Sequence, residues 1–152
     1  MRKPTHADAE LLLHLYEIRR DPELRAARAW IISKYKAVPW SVMKKDYLSG
    51  SQEDRWFRMA TSYWEMVATL VNRGVMHAEL FFDHSGEAVV TWDRIKTVVP
   101  ELRAAIRPTD LLNMERMVEA HLAYRKRTIA ALAKRTSPTR RAKPRPARKA
   151  GR

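Results

Sequence analysis

The sequence predicts an all-α protein, a single compact domain of five to six helices with a disordered basic C-terminal tail. Three observations lead there. Apolar residues recur at spacings of three and four over most of the chain, which places them on one face of successive helices. Helix start and stop signals punctuate these stripes. No apolar/polar alternation runs long enough to make a strand. At 152 residues the chain has the length of one domain.

Thr5-His-Ala-Asp8 reads as a capping box, followed by Leu11, Leu12, Leu15 and Ile18 on one helical face. Asp21-Pro22-Glu23 combines an N-cap, a proline at the first helical position and an acid near the positive end of the dipole. Leu24, Ala27, Ile31 and Tyr35 then follow at helical spacing. Val38-Pro39-Trp40-Ser41 breaks the pattern before a short helical piece toward Leu48. Gly50 and Ser51-Gln-Glu-Asp54 read as a stop and a new capping box. The next helix carries Trp56, Ala60, Tyr63, Val67, Leu70 and Val71, and Gly74 is its left-handed cap. A short helix over 77–83 leads to the turn at His84-Ser-Gly86. Ala88, Trp92, Ile95, Val99 and Leu102 form one further stripe, which Pro100 bends or ends. Pro108-Thr-Asp110 opens the last helix, with Leu111, Met114, Val118, Leu122, Ile129 and Leu132 on its face. Each stripe needs another to bury against, hence one helical core.

Charge divides the chain unevenly. Of the net +13, residues 1–135 hold +6 and residues 136–152 hold +7, from Arg140, Arg141, Lys143, Arg145, Arg148, Lys149 and Arg152 with no acid. Pro138, Pro144 and Pro146 block helix in the latter segment, and its apolar side chains are small. The expected organisation is a helical domain over 1–135 and a disordered Pro/Arg/Lys-rich tail over 136–152. No apolar run reaches the roughly 20 residues of a membrane span, and the stretch Leu11–Leu13 is too short for a signal peptide. A cytoplasmic protein without a membrane span is the expectation.

Several chemistries find no support in the sequence. There is no Cys, so no disulfide, thiolate zinc site or Cys nucleophile. The four glycines, at 50, 74, 86 and 151, form neither a Rossmann fingerprint nor a P-loop nor a nucleophile elbow. No cofactor motif is present, and the catalytic, cofactor and metal assignments are none.

Tyr63-Trp-Glu-Met-Val-Ala-Thr-Leu-Val-Asn-Arg-Gly-Val75, then Glu79-Leu-Phe-Phe-Asp83 and Trp92 through Arg103, together with Leu15–Arg25, carry a resemblance. The chain resembles an uncharacterised bacterial all-helical family, a domain of unknown function. The likeness covers most of residues 8–125, and Glu65, Gly74, Trp92 and Arg103 match its pattern best. It implies a helical fold and no assigned activity.

Four features are candidates for more than packing. Glu65, at the edge of the most apolar stripe, needs a partner if half-buried; an ion pair with Arg103 is the structural expectation and a general acid/base the functional one. His77 and His84 flank Glu79 and Asp83, a set of metal-ligand types, yet no His-Glu-x-x-His or Glu-x-x-His accompanies them. Trp40 beside Pro39 is either an exposed docking aromatic or a plug for the core. Finally, Arg125-Lys-Arg127 and Lys134-Arg135 extend the basic tail backward, partly complementing the helix dipole.

The leading reading is therefore a non-enzymatic helical interaction module, docking a protein partner or itself. Its basic tail would give nonspecific attachment to nucleic acid or another polyanion. A helical enzyme or metal-binding protein using Glu65 or the His77/His84 region is one alternative. A peripheral membrane-associated helical protein is the other, ranked behind nucleic acid because the tail has no aromatic or long aliphatic side chain to insert.

Overall fold

The computed structural model describes residues 2–136. Among them lie α1 (His6–Ile18), α2 (Pro22–Ser33), α3 (Trp40–Val42), a π-helical turn (Met43–Tyr47), α4 (Gln52–Asn72), α5 (Ala78–His84), α6 (Gly86–Ile95), α7 (Val99–Ala105) and α8 (Leu112–Thr136). No strand occurs among the described residues, so the all-α class holds. Eight α-helices replace the expected five to six. One source of the excess is the segment after Pro39, which forms its own short helix and π turn. The other is the stripe from Ala88 to Leu102, which divides into α6 and α7 because Pro100 enters near the start of a new helix.

The local signals act as their chemistry requires. Thr5 and Asp8 form the reciprocal capping box of α1, Asp21 caps α2 through the Leu24 N–H, and Ser51 caps α4 through the Asp54 N–H. Helix α4 ends at Gly74, whose φ of 71° only glycine adopts without strain. The Gly74 N–H donates to the Val71 carbonyl and the Val75 N–H to that of Leu70, a Schellman closure.

Helix α4 is the spine. It packs chiefly against α2 on one side and α8 on the other, while α6 bridges α2 and α8. Ala27, Ala60 and Ala68 are fully buried, which allows the helices to approach closely. At the α2 end the core is aromatic. Trp30 lies 5.5 Å from Tyr35 and 5.6 Å from Tyr47, and Tyr35 lies 6.0 Å from Phe57. The π turn belongs to this cluster, since it supplies Tyr47. Trp40 is partly buried against the core, as a plug.

One buried carboxylate, Asp8, and one partly buried, Glu87, fasten the ends of the helices. Asp8 accepts hydrogen bonds from the Arg2 guanidinium, from the Thr5 N–H and hydroxyl, and from the His77 N–H. The Arg2 guanidinium, with help from Thr5 and His77, holds the Asp8 carboxyl far below the usual carboxylate range. Glu87 receives Arg19 at 2.5 Å and Arg28 at 2.5 and 2.6 Å, and Arg28 also donates to the Arg19 carbonyl. This ties the α1–α2 corner to the first turn of α6. Burial would push the Glu87 carboxyl up; the Arg28 hydrogen bonds and the charges of Arg19 and Arg28 outweigh it and the net direction is down.

Glu87→Gln leaves two largely buried guanidinium groups facing a neutral amide. The expected loss is about 2–4 kcal/mol of unfolding free energy, below that of a fully dry pair because all three side chains keep some solvent contact. Urea unfolding at neutral pH measures it, and an unchanged midpoint would show that the network is not stabilising.

Candidate functional site

Glu65 points from α4 to the first turn of α8. Its Oε1 accepts from the Asn113 N–H at 3.1 Å and from Asn113 Nδ2 at 2.8 Å, and its Oε2 accepts from the Met114 N–H at 2.8 Å. These are the N–H groups that a capping side chain at the head of α8 would otherwise take. The residue in the capping position is Leu111, which has no oxygen to offer. Its φ is 56°, in the left-handed region, and its side chain is buried. Glu65 therefore caps α8 from another helix, and its negative charge faces the positive end of the dipole.

The expected Glu65–Arg103 pair is replaced by two separate contacts. Arg103 donates through Nε to the Asp110 carbonyl at 2.8 Å and through NH2 to Glu115 at 2.9 Å, one turn into α8. Backbone N–H groups satisfy Glu65 and a nearer carboxylate satisfies Arg103. The last helix starts at Leu112 rather than at Pro108, because the segment before it turns back to make these bonds.

The histidine region is also committed internally. His77 is the N-cap of α5: Nδ1 accepts from the Leu80 N–H at 3.2 Å and Nε2 lies 2.8 Å from the Arg2 carbonyl oxygen. His84 is an exposed helix end whose carbonyl accepts from the Tyr16 hydroxyl. Asp83 accepts from the Tyr124 hydroxyl at 2.7 Å, and Glu79 lies 3.7 Å from Arg127. Among the described residues no group of three His, Asp or Glu side chains is placed to hold a metal.

A groove of about 930 Å³ runs beside α4, walled by Phe57, Met59, Met66, Leu102, Ile106 and Leu111. The ionic groups along it are engaged with one another: Arg58 with Asp54, Arg107 with Asp110, Glu65 with α8. Thr61, Ser62 and Thr69 also line it, each hydroxyl donating to a backbone carbonyl of α4.

His121 was not singled out by its sequence context. It is fully buried in α8, stacked on Phe82 with ring centroids 4.6 Å apart and planes 11° apart, and neither ring nitrogen makes a hydrogen bond of normal geometry. Burial pushes its pKa down and Arg125 adds to this, against a smaller upward pull from the Phe82 backbone and Asp83.

The remaining feature is the second half of α8. Every residue from 125 to 136 is exposed, so the helix runs past the body by more than three turns. The charge boundary falls at the same place. Residues 1–124 carry 18 Lys and Arg against 17 Asp and Glu, a net of +1, whereas residues 125–152 carry 12 Lys and Arg and no acid. The seven tail cations Arg140, Arg141, Lys143, Arg145, Arg148, Lys149 and Arg152 lie outside the described residues.

These features define an all-helical body whose buried ionic groups are turned inward, followed in the sequence by a stretch that holds nearly all of the excess positive charge. The chain belongs to the family described as a domain of unknown function, DUF4760, whose model matches residues 4–125. No curated protein and no solved structure matches it. The family match ends where α8 leaves the body.

Two outcomes follow. Glu65→Ala uncovers the head of α8 and is expected to cost about 1–2 kcal/mol, with Glu65→Gln less damaging because it keeps an acceptor; chemical denaturation separates them. His121 makes stability fall as pH drops below about 6.5, because the unfolded imidazole takes up a proton that the buried ring resists, at a slope of at most about 1.4 kcal/mol per pH unit. Asp8 and Glu87, whose pKa values are lowered, add a separate loss below the ordinary carboxylate range. Urea midpoints at several pH values should show both phases, and His121→Phe should flatten the upper one alone.

Proposed function

We propose that the protein is a non-enzymatic helical interaction module that attaches to phosphate-bearing polyanions through a cationic arm, formed by α8 beyond Tyr124 and the segment that follows. The observation that carries this is the coincidence of two boundaries: where the described chain stops burying side chains, it also stops carrying acids. The last acid is Glu119, and 12 cations follow Tyr124. A solvated helix end needs a few cations to complement its dipole, not 12. Attachment of this kind is sequence-nonspecific, because phosphate contacts position a protein without reading bases. This reading is preferred to the enzyme and metal alternatives because the Glu65 carboxylate and His77 Nδ1 cap helices and His77 Nε2 faces the Arg2 carbonyl oxygen. Among the described residues no helix is long and apolar enough to cross a membrane.

Titration of the full chain against duplex DNA tests the reading, with a variant in which the seven cations past residue 139 are Gln. Full-length protein should bind, with affinity falling steeply from about 50 to about 200 mM salt, and the variant should bind more weakly with a shallower slope. Absence of any binding at the lower salt, together with no binding to other phosphate-bearing surfaces, would overturn it.

A further inference from the structure

We infer that the polyanion this arm engages is an anionic phospholipid bilayer, with the exposed half of α8 lying on it as an amphipathic helix. The inference rests on the reading above and names its partner.

It begins from a stripe that outruns its core. In the first half of α8, Met114, Met117, Val118 and His121 are buried against the body. The same face continues at helical spacing through Arg125 to Ile129 and Leu132. There the body has ended. Ile129 is 66% exposed and Leu132 52%, and Leu122, at the edge of the face, is 49% exposed. Leu122 also lines a cleft with Val89, Val90, Asp93 and Arg94 of α6, where Val90 is itself exposed. Lys126, Arg127 and Lys134 lie off this face and Arg135 at its edge, with Arg127 3.7 Å from Glu79.

The chemistry of this surface selects among partners. A nucleic-acid backbone attracts the cations but has no use for exposed branched aliphatics between them. A second copy of the chain could cover the aliphatics, but two arms side by side bring cations against cations with no acid after Glu119 to answer them. An anionic bilayer meets both demands. Its surface potential attracts Lys and Arg, and the boundary beneath the headgroups accepts Ile and Leu. The absence of long aliphatic side chains past Thr136, which favoured nucleic acid on sequence grounds, loses its force, since the helix just before supplies them. Two weak anchors, a short apolar stripe and a polybasic segment, are together what reversible surface attachment needs.

Full-length protein is mixed with vesicles of phosphatidylcholine alone and of phosphatidylcholine with phosphatidylserine, and binding is read by flotation, with a duplex-DNA titration in parallel. The second protein is Ile129→Gln/Leu132→Gln, which changes two exposed positions to a good helix former, with folding checked by circular dichroism. The expected result is binding to the phosphatidylserine vesicles and not to phosphatidylcholine alone. The double variant should bind those vesicles at least about tenfold more weakly, with whatever DNA binding exists unchanged. Equal vesicle binding by both proteins overturns the amphipathic-helix half of the inference; binding to DNA and not to vesicles overturns the lipid assignment; either leaves the polyanion arm standing. Binding to neither overturns both.

Discussion

The direction in which α8 leaves the body depends on a carboxylate that α8 does not own. A helix of 25 residues is roughly 37 Å long, and a small error at its head becomes a large displacement at its far end. Leu111 cannot cap it, and its left-handed backbone is unfavourable for a residue with a β-carbon by roughly 1–2 kcal/mol. Burial of the Leu111 side chain offsets this. The orphan N–H groups are met by Glu65, which sits on the helix that also packs against α2. The same carboxylate therefore fixes α8 to the spine of the core. Arg103 reinforces the corner by holding the Asp110 carbonyl and Glu115.

A second constraint is electrostatic. The body uses its acids internally: Asp8 for Arg2, Glu87 for Arg19 and Arg28, Asp54 for Arg58, Asp110 for Arg107, Glu115 for Arg103. The most buried of them bind helix ends together rather than decorate the surface, and their net effect on the outside field is close to nil. The field of the protein is then the field of its last 28 residues, where all 12 charged groups have one sign. The excess positive charge of the sequence thus falls after Tyr124, although one of these cations, Arg127, still lies 3.7 Å from Glu79 of α5.

What was legible in the sequence was what is local. The capping boxes at Thr5 and Ser51, the Asp21-Pro22 start and the Gly74 stop act through residues three or four positions apart, and each is where the pattern put it. The helix count was not legible, because Ala88 to Leu102 keeps helical spacing across a turn and so reads as one element. The need of Glu65 for partners is legible from its place at the edge of the stripe; which partners it finds is not. Pairing by residue type looks for an arginine, whereas the backbone N–H groups at the start of α8 have no letter in the sequence. The Asp8 and Glu87 networks were missed for a related reason. The sequence around Asp8 shows only its capping role, and Glu87 meets arginines from a corner almost 60 residues or more away.

The arm also explains how so cationic a segment stays helical. A stretch of a dozen residues is a marginal helix in water, because nucleation is unfavourable. Here the nucleus already exists in the packed first half of α8, and only propagation is required. Ala-rich sequence from Thr128 to Ala133 favours propagation, and Lys134 and Arg135 sit where the negative end of the dipole welcomes them. None of these terms calls for Ile129 and Leu132, since Ala or Lys would serve the helix as well and leave less apolar surface in water. Helix stability thus accounts for the arm's form and the proposed polyanion attachment for its charge, while the two aliphatic side chains follow from neither. A partner with an apolar layer just beneath a negatively charged surface is the environment that gives all three features a physical reason.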